Sequence, residues 1–74
     1  MTAAELQDLI VSTLAREVGT GRRWRLVVGP VKVYSLLTHP HCNWSVSPSG
    51  NPGDVARVER LLDRLRIAHP VISA

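Results

Sequence analysis

His39, His41 and Cys42 fall within four residues, and His69 stands as a distant fourth candidate. Imidazole nitrogen and thiolate sulfur are the ligands a zinc ion selects, so this cluster raises a metal site first. Familiar structural zinc sites use two closely spaced ligand pairs, and the second pair is missing here. Alternation along a strand also turns His41 and Cys42 to opposite faces. No metal is expected, and Cys42 reads as a small buried apolar residue. Ser45 or Ser47 near His39 or His41 raises nucleophilic hydrolysis, yet neither a nucleophile elbow nor an orienting acid accompanies them. Glu5, Asp8 and Glu17 lie on a predicted helix without a facing cleft. The glycine-rich stretch Ser49-Gly50-Asn51-Pro52-Gly53 lacks the lysine of a phosphate loop. The expectation is a protein that is not an enzyme and calls for no cofactor.

Binding chemistry is better represented. The chain has 74 residues with nine Lys+Arg against six Asp+Glu, a formal charge of +3. That charge is uneven: residues 1–20 sum to −2, residues 21–37 to +4, residues 38–53 to zero and residues 54–74 to +1. Arg22, Arg23, Arg25 and Lys32 supply the positive segment, and Tyr34, one of three aromatic residues, follows directly. Cations interleaved with an aromatic ring suit a polyanion whose bases can stack. Eight of the nine cations are arginine, which fits either phosphate recognition or the codon usage of a GC-rich bacterial genome. Arg57, Arg60 and Arg64 form a second stripe, but Glu59 and Asp63 flank it, and a helix face of mixed sign is normally just solvated.

The elements that must position these groups follow from periodicity. Thr2 and Glu5 have capping-box spacing, and Leu6, Leu9, Ile10, Thr13 and Leu14 recur at helical intervals, predicting a helix from about Ala3 to Val18 stopped by Gly19. Glu17 falls in the apolar arc of that helix, so either the final turn frays or the carboxylate finds a cation such as Arg25. From Arg23 the sequence can be read with a period of two: Trp24, Leu26 and Val28 alternate with Arg23, Arg25 and Val27. After Gly29-Pro30, Val31, Val33 and Ser35 alternate with Lys32, Tyr34 and Leu36. Residues 42–47 alternate again. Pairing Val28 with Val31, Leu26 with Val33, then Val33 with Val46, Ser35 with Trp44 and Leu37 with Cys42 gives an antiparallel meander with one apolar face. Asn51-Pro52-Gly53-Asp54 reads as a helix start, and Val55, Val58, Leu61, Leu62 and Leu65 mark the inner arc of a helix that Pro70 ends near Ala68 or His69. The tail is expected to pack on Ile67. The whole, residues 1–74, is read as one small α+β domain of order α-β-β-β-α, a three-stranded antiparallel meander sheet with both helices packed on one face.

The uncovered face of such a sheet carries Arg23, Arg25, Val27, Lys32, Tyr34, Leu36, Asn43, Ser45 and Ser47. Two functions are expected of it. Arg23, Arg25 and Lys32 meet phosphates while Tyr34 stacks a base of RNA or another single strand. Alternatively Val27, Tyr34 and Leu36 form the centre of a protein–protein or homodimer interface with a polar rim. An open antiparallel face is polar in any case, which accounts for all but Val27 and Leu36. A single cysteine forms no internal disulfide, and the acidic, polar start and the absence of a long apolar run give no export or membrane signal. A cytoplasmic location without membrane contact is expected.

The α-β-β-β-α order resembles the double-stranded RNA-binding domain and the small mRNA interferase toxins built on that fold. The resemblance is one of topology over most of the chain. Where the binding domain opens its second helix with a lysine cluster, this chain has Asn51-Pro52-Gly53-Asp54, with Arg57 the nearby cation. Where the toxins carry a Gly-Ser-His loop before the second strand, it has Val28-Gly29-Pro30-Val31. No family is assigned on topology alone.

Overall fold

Thr2 initiates the first helix by the reciprocal bonding its spacing predicts. Its hydroxyl accepts from the Glu5 amide at 3.2 Å, and the Glu5 carboxylate accepts from the Thr2 amide at 2.9 Å. The computed structural model describes residues 1–74 and contains helix α1 (Ala3–Glu17), helix α2 (Gly21–Val28), strands β1 (Lys32–Val33) and β2 (Trp44–Ser45), and helix α3 (Pro52–Ala68). It is a small α+β fold with three helices and a two-stranded antiparallel sheet. The expected three-stranded meander covered by two helices is not formed.

The difference lies in residues 21–28, expected as the first strand and found as a helix. The Thr20 hydroxyl caps it by accepting from the Arg23 amide at 3.4 Å, and Gly29 ends it at φ +67°, a conformation open to glycine. Trp24, Val27 and Val28 turn into the core, while Leu26 is 78% exposed. The segment satisfies two periods at once: Trp24, Leu26 and Val28 line one face of a strand, and Trp24, Val27 and Val28 one face of a helix. The choice exchanges one aliphatic side chain for another, each worth roughly 1.5–3 kcal/mol when buried, so the apolar term nearly cancels. The cap, worth about 1 kcal/mol, then favours the helix. Pro30 adds to this, because it cannot donate to a sheet ladder and Gly-Pro is a poor hairpin turn.

The sheet pairs Lys32 with Ser45 and Val33 with Trp44. This is the expected antiparallel pairing slid by two residues, so each residue keeps its face: Trp44 and Val46 are buried, and Lys32 and Ser45 look outward. The slide originates at Ser35. Its carbonyl accepts from the Thr38 and His39 amides at 3.1 and 2.8 Å, and its hydroxyl accepts from the Leu37 amide at 3.1 Å. Ser35 thereby begins the turn, and the ladder closes one residue earlier with the Tyr34 amide donating to the Asn43 carbonyl at 2.7 Å.

The C-terminal tail occupies the other edge of β2. Asn43, expected on the open face, is buried and pairs with the backbone of Ile72 in both directions, donating at 2.7 Å and accepting at 2.8 Å. Ser73 continues to the Met1 carbonyl at 2.8 Å, joining the two ends of the chain. Ile72 is what anchors the tail in the core, whereas Ile67 stays 85% exposed instead of receiving it.

Helix α3 begins as read, with the Asn51 side chain accepting from the Asp54 amide at 2.9 Å and Pro52 in the first turn. Val58, Leu61, Leu62 and Leu65 join α1, α2, Trp44, Val46 and Ile72 in one cluster of 14 buried apolar residues. No helix is long and apolar enough to cross a membrane.

Candidate ligand-binding surfaces

Turning residues 21–28 into a helix redistributes the residues singled out for binding. Side chains two apart on a helix do not share a face, and Arg23 and Arg25 diverge accordingly. Arg23 reaches α3 and holds both carboxylate oxygens of Asp54 at 2.6 Å, with its guanidinium 4.7 Å from the centre of the Trp24 ring. Arg25 reaches α1 and pairs with Asp8 at 2.8 Å, so Glu17 meets Arg57 of α3 at 3.9 Å instead. Val27 is in the core and does not join Tyr34 and Leu36 on a surface. The four proposed nucleic-acid contacts therefore do not stand on one face; Lys32 and Tyr34 alone remain together, on the outer side of the hairpin.

Around those two the turn builds a platform. The Tyr34 and His39 rings are stacked, with centroids 4.3 Å apart and planes inclined by 21°. The Tyr34 hydroxyl is hydrogen-bonded to Ser45 Oγ at 2.8 Å, across the sheet and beside Lys32. His39 Nδ1 is held by Thr38 Oγ1 at 2.9 Å. Each ring is thus fixed by a polar contact at its edge while the pair stays in water, Tyr34 being 37% exposed and His39 exposed. Lys32, opposite Ser45 in the ladder, is exposed and makes no ion pair. Leu36 and Leu37 form the tip of the same loop, 49% and 95% exposed. Sequence parity placed Lys32 and Tyr34 on one face; the partnership with His39 was missed because it depends on the turn starting at Ser35.

A groove lies between α1 and α2, apart from the hairpin. It is open to solvent and spans about 900 Å³, with Val11 and Leu26 in its lining beside the polar side chains of Asp8, Ser12, Arg22 and Arg25. The sequence signal for it was Thr20-Gly21 followed by Trp24, Val27 and Val28 at helical spacing.

The remaining candidates are separate. His41 is exposed, Cys42 is half-buried with its thiol directed to the Trp44 carbonyl at 3.6 Å, and no three His, Cys, Asp or Glu side chains converge as a metal site would require. On α3, Arg66 pairs with Asp63 at 3.1 Å and Arg57 with Glu17, leaving Arg60 and Arg64 without acidic partners. At the start of α1, the backbone hydrogen bond from Thr2, then the Thr2 hydroxyl, hold the Glu5 carboxyl below its ordinary 4.5. Comparison with known proteins gives no match to a protein family, to a curated protein or to a solved structure.

Proposed function

We propose that this chain is a small non-catalytic binding module that takes single-stranded nucleic acid, RNA foremost, on the outer face of its β1–β2 hairpin. The observation that carries this reading is the stacked Tyr34–His39 pair, held by edge hydrogen bonds with ring surface left in water. A base extends such a stack, which is worth about 1–3 kcal/mol per base. Lys32 supplies a phosphate contact within the same small surface, and Ser45 and Thr38 supply hydroxyls. The net charge of +3 favours approach of a polyanion. The reading includes a cytoplasmic location, supported by a lone cysteine without an intramolecular partner.

The test is fluorescence anisotropy of a labelled oligouridylate at low and high salt. Tyr34→Ala is expected to weaken binding about tenfold, within the range of one lost stack. Lys32→Ala is expected to lower the salt slope by about one. Arg25→Ala, on the α1 side, is expected to leave the slope as it is. Equal affinity for wild type, Tyr34→Ala and Lys32→Ala would remove the hairpin from consideration.

Leu36 and Leu37, exposed at the loop tip beside the rings, favour a second reading in which the hairpin docks on a protein or on another copy of the chain. Sizing chromatography separates the two: a dimer indifferent to salt and to RNA supports the interface, and a monomer that shifts only with RNA supports the first reading.

A further inference from the structure

We propose that the groove between α1 and α2 binds a small organic carboxylate with an apolar body, such as a medium-chain fatty acid. Its volume of about 900 Å³ falls within the roughly 300–1,000 Å³ typical of small-ligand sites. The apolar part of the lining is specific. Val11 is a core residue, 3% exposed, that borders the groove, so the hydrophobic side chain open to a ligand is chiefly Leu26, 78% exposed. Gly21 leaves the space above Val11 open, since a Cβ built there meets the Val11 side chain at 3.7 Å. An exposed leucine beside a glycine gap suits an alkyl chain and leaves it little to hydrogen-bond.

Charge selects the head group. Two guanidiniums, Arg22 and Arg25, face one carboxylate, Asp8, and Asp8 is taken by Arg25 at 2.8 Å. Arg22 makes neither an ion pair nor a side-chain hydrogen bond, so the margin carries one uncompensated positive charge. A carboxylate meets the planar fork of Arg22 in two parallel hydrogen bonds, a geometry that a neutral or cationic head group cannot reproduce. The groove and the hairpin platform share no residue, and this proposal stands independently of nucleic-acid binding.

The experiment is a titration of the ¹⁵N-labelled chain with octanoate, beside hexanol and octylammonium. Octanoate is expected to shift the amides of Val11, Gly21, Arg22 and Leu26 saturably, with Arg22→Ala weakening it about tenfold, the effect of roughly one charge-assisted contact. Gly21→Leu fills the groove at a position of ordinary backbone conformation and is expected to abolish the shifts while the circular dichroism spectrum persists. Hexanol and octylammonium are expected to bind far more weakly. The proposal is overturned if octanoate produces no saturable shift, or if all three probes bind alike and Arg22→Ala changes nothing. It is equally overturned if the same amides shift with protein concentration alone, which assigns the groove to a second copy.

Discussion

Trp24 and Trp44 are secured alike on unlike scaffolds. Both are buried, both donate the indole N–H to a backbone carbonyl, of Val18 and His69 respectively, and both lie under a guanidinium, from Arg23 and Arg66. Trp24 stands on a helix with its own hydrogen-bond ladder, packed on α1. Trp44 stands on a two-residue strand whose surroundings are tied by a few paired polar contacts to distant parts of the chain: Asn43 to Pro70 and Ile72, and Ser73 to Met1. The helical side owes its order to local hydrogen bonds and apolar burial. The hairpin side depends on one amide side chain that stands in for a missing neighbouring strand. A polar clasp of this kind is costly to break, because the groups it satisfies are buried.

The largest expected effect falls on the helical side. Trp24→Ala removes a fully buried indole, a change that costs about 3–5 kcal/mol and is comparable to the whole stability of a domain this small. Loss of the far-ultraviolet helical signal at 25 °C is expected; a cooperative melt close to wild type would show that α2 is not part of the core. Next comes Asn43→Ala, expected to cost about 1–3 kcal/mol by orphaning the Ile72 amide and carbonyl. Hydrogen exchange should quicken in residues 32–45 and 70–73 while α1 and α3 stay protected, and uniform quickening throughout would erase the contrast between the two sides. Leu26→Ala sharpens it further. On a helix with Leu26 in water the change in denaturation midpoint corresponds to no more than about 0.5 kcal/mol, whereas on a sheet with Leu26 inward it would reach about 2–5 kcal/mol. The smallest effect concerns pH. Folding depresses the Glu5 titration, so its contribution is complete above the ordinary value of 4.5 and is lost as the pH falls through the lower folded value. A carbon-detected titration of the Glu5 carboxyl should show a midpoint below 4.5 that rises only part of the way towards it in Thr2→Ala, which removes the hydroxyl and keeps the backbone donor.

Much of the helical framework was legible because its signals are local. Thr2 with Glu5, and Asn51 with Pro52 and Asp54, announce α1 and α3 within four residues of each start. The faces of Lys32, Val33, Tyr34 and Trp44 were also legible, since a slide of two residues preserves parity. Residues 21–28 were not, because Leu26 and Val27 offer the core nearly equal apolar gain, so periodicity alone leaves strand and helix level and the Thr20 cap decides between them. Asn43 was read as a surface donor, its partner lying 29 residues away where no pattern links them. For the candidate sites, parity gave Lys32 with Tyr34. The stacking of His39 rests on turn chemistry at Ser35, and the α1–α2 groove on a helix that alternation concealed.

A residue-resolved titration of the ¹⁵N-labelled chain with a short oligouridylate tests the hairpin as the ligand surface most directly. Saturable shifts concentrated at Lys32, Tyr34, His39 and Ser45, diminishing with salt, are expected. Shifts centred on Arg22 and Arg25, or on Arg57, Arg60 and Arg64, with the hairpin signals unmoved, would contradict this expectation.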